Sequence, residues 1–326
     1  MRSRRSPTRF GFSCLCVLLA LGCASPPDPT APTKPELEAE LGEVGSQLFA
    51  DVIDEKTRLL EIEYVLNRAA AKACGDLARP QFGILTESLS SLDQTWLKAA
   101  SAKGGILGDG LTIVHVVPDS PFDRAGLRVG DELLSLNGAS PQSHADLHAQ
   151  RMQATDRAPT VVDYRREGLE NSIEIPTQLG CPVTFSLLQS ESLVTTAKRA
   201  QVLVPRGLLA HARDENMLAI ALAHGFAHAV WDKPGSSHLE QEQRADRLGT
   251  RLAAHAGFDV SKTVEYWEDV ARAHPWLVIS NPDDVKVRIA DGFDFLLEML
   301  EASSHGGIAV RMEGLRADVE AVASRR

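Results

Sequence analysis

The chain has 326 residues, of which 44% are hydrophobic and 24% charged, with a net charge of −10. That length suits two modest domains and a leader, and the composition is that of an ordinary soluble protein. The acidic balance argues against nucleic acid as a partner, and no segment after the leader is long and apolar enough to span a bilayer.

The first 22 residues read as a leader outside the fold. Arg2, Arg4, Arg5 and Arg9 form a positive n-region, residues 10–21 a short apolar h-region, and Ala20-Leu21-Gly22-Cys23 a cleavage site. A run this short is a signal peptide rather than a membrane span. The pattern resembles bacterial lipoproteins. That resemblance implies export across the inner membrane, lipid on Cys23, and membrane contact through this anchor only. Ala24, where Asp is lacking, implies the outer membrane, facing the periplasm. The Pro-rich stretch 23–35 reads as a tether. Losing the four leader arginines takes the net charge from −10 to −14. Cys74 and Cys181 remain, an even pair in an oxidising compartment. They form either a disulfide or two separate buried thiols.

Residues 36–79 carry apolar side chains at helical spacing, among them Leu48, Val52, Leu59 and Ile62, and read as one or two amphipathic helices. A break comes near Arg79-Pro80. From 80 to 178 the texture is β. Residues 111–117 read as a strand, Ser120-Pro121 opens a short helix that Gly126 closes, and Gly130-Asp131 is a turn. Residues 132–136 form a strand, Asn137-Gly138 a tight turn, and 161–165 and 172–175 the closing strands. This stretch resembles a bacterial PDZ domain. The resemblance implies a β-sandwich or barrel-like fold that binds peptide or protein C-termini by strand addition. The carboxylate-binding loop falls at Phe82, Gly83, Ile84 and Leu85. The Gly-rich run 104–110 lacks the Gly-Lys-Ser/Thr ending of a phosphate loop and reads as a connector.

The segment 181–304 holds the run Leu222-Ala223-His224-Gly225-Phe226-Ala227-His228. Its two histidines are four residues apart, on one face of a helix. Chance gives about 0.3 such pairs in a chain of this length with ten histidines, and His144 with His148 makes a second. A carboxylate downstream makes the pattern more specific. Glu242, with Asp246 one turn beyond, lies on a second helical pattern. Two imidazoles and a carboxylate form a zinc site with its fourth position open. Asp246 could fix the tautomer of a ligating histidine. The plainer alternative makes the histidines core residues and Glu242 a solvated helix residue. Zinc peptidases with this spacing carry their general base directly after the first histidine. This chain has Gly225 there.

Together with Thr196-Ala197 and the stretch Val202-Leu-Val-Pro-Arg206-Gly207-Leu-Leu, these residues resemble the HtpX/BepA-type gluzincin metallopeptidases (peptidase family M forty-eight), from about 192 to 288. The resemblance implies a mainly α-helical zincin-like domain, zinc as cofactor, and His224, His228 and Glu242 as its ligands. The family's catalytic glutamate falls on Gly225. A His-Pro pair of the family falls either on Ser280-Asn281-Pro282, where Asn281 replaces the histidine, or on His274-Pro275. Losing a general base costs roughly 10²–10⁴-fold in rate. Further helical patterns cover 261–273 and 283–301, and residues 305–326 read as a charged tail. Trp231, Trp267 and Trp276 read as packing residues. The expectation is an α+β chain: an N-terminal helix region, a PDZ domain and a gluzincin-like domain. Its expected function is a pseudo-peptidase that binds protein clients. The alternative is an active or weakly active zinc endopeptidase in envelope protein quality control.

Overall fold

A computed structural model of the chain describes residues 34–88, 110–154, 158–232, 237–274 and 308–324. The leader with Cys23, nearly all of the tether, the run 104–109, Pro275, Trp276 and the motif at 280–282 lie outside the described residues.

The first element is a single helix, α1 (Lys34–Cys74). Its buried positions Leu59, Ile62, Leu66 and Ala70 recur at the 3–4 spacing of one helical face. That face does not join the PDZ core. It packs with Val183, Val202, Leu208 and the later helices, so the N-terminal helix region supplies part of the core of the C-terminal half. Cys74, at the end of α1, is bonded to Cys181, with Cα atoms 5.6 Å apart.

A single turn, Gly75–Leu77, leads into β1 (Arg79–Pro80). This short strand pairs antiparallel with β7 (Leu179–Gly180), so the two ends of the middle region are tied together. Between them lies one antiparallel sheet in the order β2-β3-β4-β5-β6. Its strands are β2 (Ile84–Glu87), β3 (Leu111–Val116), β4 (Glu132–Leu136), β5 (Thr160–Arg166) and β6 (Leu169–Ile175). Two helices accompany it, α2 (Pro121–Arg124) and α3 (His144–Gln153). Ser120 and Ser143 cap them through side-chain oxygens, which satisfies N–H groups that a helix start leaves unpaired. The sheet folds over its own core of Phe82, Leu111, Ile113, Phe122, Leu133 and Val162.

The C-terminal half opens on a three-stranded sheet, ordered β8-β10-β9. β8 (Thr184–Leu188) and β10 (Gln201–Pro205) are parallel, and β9 (Thr196–Lys198) is antiparallel to β10. The helices α4 (Arg206–His211), α5 (Glu215–Trp231), α6 (His238–His255), α7 (Thr263–Ala273) and α8 (Ile308–Ala323) come next in the chain. Sequence reading misses β8. α5 is buried all round from Met217 to Ala227. Small residues let its neighbours approach closely, which suits a central helix. α8 corrects the charged tail: Ile308, Met312 and Leu315 are buried in the same core. Among the described residues no helix is long and apolar enough to cross a membrane.

Candidate metal centre and peptide groove

α5 starts at Asp214, whose side chain accepts the N–H of Met217, and it carries His224 and His228 on one face. α6 starts at Ser237 with a reciprocal capping box to Glu240. Glu240 is therefore engaged at the helix start. Glu242, Asp246 and Gly249 recur at four and three residues, which puts them on one face. A Cβ on Gly249 would lie 2.8 Å from the backbone nitrogen of His224. Only glycine lets α6 come this close, and the approach brings Glu242 and Asp246 against the two histidines.

The ligand-type atoms of His224, His228 and Glu242 lie within 4.8 Å of one another, a group that could hold a metal ion. His224 Nε2 and His228 Nε2 are 3.1 Å apart. Glu242 Oε1 lies 3.1 Å from His228 Nε2, and Oε2 lies 3.5 Å from His224 Nε2. Each imidazole has a carboxylate behind it. Asp246 Oδ1 is 3.1 Å from His224 Nδ1, and Asp232 Oδ2 is 3.0 Å from His228 Nδ1. A proton on each Nδ1, facing these carboxylates, leaves both Nε2 atoms facing Glu242, where deprotonated imidazoles would present lone pairs. Two lone pairs and a carboxylate at such distances repel one another unless a cation or a proton lies among them. Burial alone would lower the affinity of His228 for a proton. Asp232 and Glu242 outweigh burial and raise its pKa to about 9.

Sequence reading singled out Asp246 and missed Arg311. This side chain enters from α8 and is 1% exposed. Its guanidinium donates to Glu242 Oε2 at 2.7 Å and to both oxygens of Asp246 at 2.7 and 2.5 Å. It also lies 4.2 Å from the centroid of the Trp267 ring, which in turn meets His224 edge-on at 4.8 Å. Burial would raise the carboxyl pKa of Asp246, but Arg311 and His224 hold it below the ordinary value.

Gly225 faces the other way, toward the strand side. A Cβ there would sit 2.9 Å from Val202 Cγ1 and 3.1 Å from Thr195 Cβ, with Thr195 Oγ1 closer still. Leu193, two residues before Thr195, is held at both backbone groups. Its N–H donates to His274 Nε2 at 3.2 Å, and its carbonyl accepts Tyr266 Oη–H at 2.8 Å. The segment that crowds Gly225 is thus anchored from α7.

In the middle region, Phe82, Gly83, Ile84 and Leu85 line a cavity of about 210 Å³ between β2 and α3. Its remaining wall comes from α3, from Tyr64 and Glu63 of α1, and from Phe185 of β8. His144, at the start of α3, contacts the carbonyl of Thr86 on β2. A family model described as PDZ domain matches residues 80–177.

Residues 80–177 form a PDZ domain. No curated protein matches the chain. Among solved structures, the PDZ domain is similar to a serine endoprotease from Yersinia pestis, at 20% identity over 32% of this chain and 30% of that one, with a TM-score of 0.24. It is also similar to the HtrA3 PDZ domain bound to a phage-derived ligand, at 18% identity over 31% of this chain and 88% of that one, TM-score 0.26. A third is the HtrA-type protease AlgW with decapeptide, at 19% identity over 34% and 32%, TM-score 0.26. The chain spans less than a third of the length of the first of these proteins.

Proposed function

We propose that this protein is a client-binding pseudo-peptidase: a PDZ domain that captures peptide or protein C-termini, joined to a gluzincin-like domain that holds zinc without efficient hydrolysis. The observation that carries this reading is the closed slot at Gly225. The position that a general base would occupy has no side chain, and Thr195 and Val202 fill the space into which one would grow.

The donor set fits zinc. A tetrahedral ion with Zn–N near 2.0–2.1 Å places its ligand atoms about 3.3 Å apart. The separations among His224, His228 and Glu242 are 3.1, 3.1 and 3.5 Å. Zinc held there would supply a Lewis acid able to polarise a carbonyl. The chain's own residues supply the rest of the site. Asp246 and Asp232 orient the imidazoles, and Arg311 fixes Glu242. The described carboxylates at the imidazole pair are all engaged: Glu242 and Asp246 with Arg311, and Asp232 with His228 Nδ1.

PDZ domains take extended peptide ends by strand addition, and the groove beside residues 82–85 supports that partner class here. The leader pattern supports a lipid anchor at Cys23 and a place in the cell envelope, at the outer membrane. The test of the catalytic reading is cleavage of β-casein by the mature chain with added zinc. Wild type and His224→Ala should be indistinguishable. A wild-type activity that the substitution abolishes would overturn the reading in favour of a working zinc endopeptidase.

A further inference from the structure

The cavity beside β2 is lined by Glu63 and Arg151 among its ionisable side chains. Arg151, near the end of α3, has a side chain 13% exposed. Its Nε is buried and makes no hydrogen bond among the described residues. One terminal nitrogen lies 3.4 Å from His148 Nδ1. The other lies 4.0 Å from Glu63 Oε1, beyond hydrogen-bond range. Glu63 comes from α1, outside the PDZ domain, and its other oxygen accepts the N–H of Phe185 on β8 at 2.7 Å. A guanidinium offers five donors in a fixed fork. Here it lines the same cavity as residues 82–85 and meets Glu63 only in a long ion pair, without a hydrogen bond. Burial raises Glu63 to about 7, against the pull of Arg151 and the Phe185 N–H. At neutral pH Glu63 therefore offers Arg151 only part of a negative charge.

We propose that Arg151 is the anion receptor of this groove, taking the carboxylate of a bound peptide, and that Glu63 of α1 competes with the ligand for it. The proposal rests on the PDZ reading above and names the group that selects its ligand. The carboxylate could belong to a chain terminus or to an Asp or Glu side chain. The cavity favours the terminus. Its volume of about 210 Å³ is below the ~300–1,000 Å³ of small-molecule sites, and Phe82, Ile84 and Leu147 give it an apolar part suited to one last side chain.

The experiment uses the mature full chain and an array of pentapeptides ending in Val, Leu, Ile, Phe or Ala. Each is presented as the free acid, as the amide, and as an amide with Asp at the last position. A charge-assisted hydrogen bond of this kind is worth about tenfold or more in affinity. Free acids should therefore bind wild type at least about tenfold tighter than amides. Arg151→Met should reduce that ratio to about threefold or less, while Arg151→Lys, which keeps the charge, retains most of it and guards against a misfolded variant. Glu63→Gln should tighten free acids about three- to tenfold and leave amides unchanged. If Arg151→Met discriminates as wild type does, the receptor is elsewhere and only this inference falls. If Asp-ended amides bind as tightly as free acids, the preference for a terminus is overturned. If no peptide binds wild type or Glu63→Gln, client capture by the groove falls with it.

Discussion

Thr195 stands against the α-carbon of Gly225, in the space into which a side chain at 225 would grow. Its Cβ is 3.1 Å from where a Cβ on residue 225 would lie, and its hydroxyl is nearer. Thr195 is 2% exposed and Val202 fully buried, so neither can retreat into solvent. Glycine within a helix costs roughly 1 kcal/mol relative to alanine. Overpacking a core costs about 1–3 kcal/mol. The second effect is the larger here. Gly225→Ala should therefore destabilise the protein by about 1–2 kcal/mol. Thr195→Ala should relieve most of that cost, so chemical denaturation of the two single variants and the double variant should show favourable coupling. Additive effects would mean that the slot is open. Gly225→Glu alone should destabilise more than Gly225→Ala and give no casein cleavage.

Arg311 is buried between two carboxylates and an indole. Breaking one side of a buried ion pair costs about 3–5 kcal/mol. Arg311→Met keeps most of the apolar stem and should lower stability by that order. It leaves Glu242 and Asp246 as uncompensated buried charges. Added zinc should then restore more stability to the variant than it adds to wild type, and His228→Ala should cancel the restoration. A variant as stable as wild type would show that α8 contributes packing alone.

The two helices of the candidate metal centre are legible in the sequence because their signals are local. The i, i+4 histidines fix one face of α5, and Glu242 with Asp246 fixes one face of α6. The PDZ strands are legible for the same reason, from β-branched runs between glycine turns. Contacts that join distant segments give no such signal. Arg311 is 65 positions from Asp246, and in sequence it is one more charge in a charged stretch. Glu63 sits on an amphipathic helix, where a glutamate normally reads as solvated. Its burial comes from β8 passing over α1, and β8 itself is too short to announce. Gly249 is legible as a helix glycine but not as the point where two helices touch.

Glu63 sets a pH dependence. It is 8% exposed, and burial raises its pKa from 4.5 to about 7. The folded chain holds this proton more tightly than the unfolded chain does. The resulting stability is complete below about pH 4.5 and is lost as pH rises through about 7. A shift of this size corresponds to about 3 kcal/mol. Glu63→Gln carries no charge to desolvate and keeps an acceptor for the Phe185 N–H. Its stability relative to wild type should rise between pH 4.5 and 8 by up to that amount. Denaturant titrations at several pH values would read it, and a pH-independent difference would contradict the assignment.

The bond between Cys74 and Cys181 closes a loop across a sequence separation of 107, with the whole PDZ domain inside it. Loop-closure entropy assigns such a link about 3–5 kcal/mol. Replacing both cysteines with alanine should lower the thermal midpoint markedly while leaving peptide binding by the PDZ domain intact at low temperature. An unchanged midpoint would mean that the β1–β7 pairing already holds the two ends together.

The candidate metal centre is tested most directly by the zinc content of the mature chain, purified without a histidine tag. About one zinc per chain, lost in His228→Ala and in Glu242→Gln, is the expected result. Wild-type protein that carries no zinc, and takes up none when zinc is supplied in excess, would contradict it.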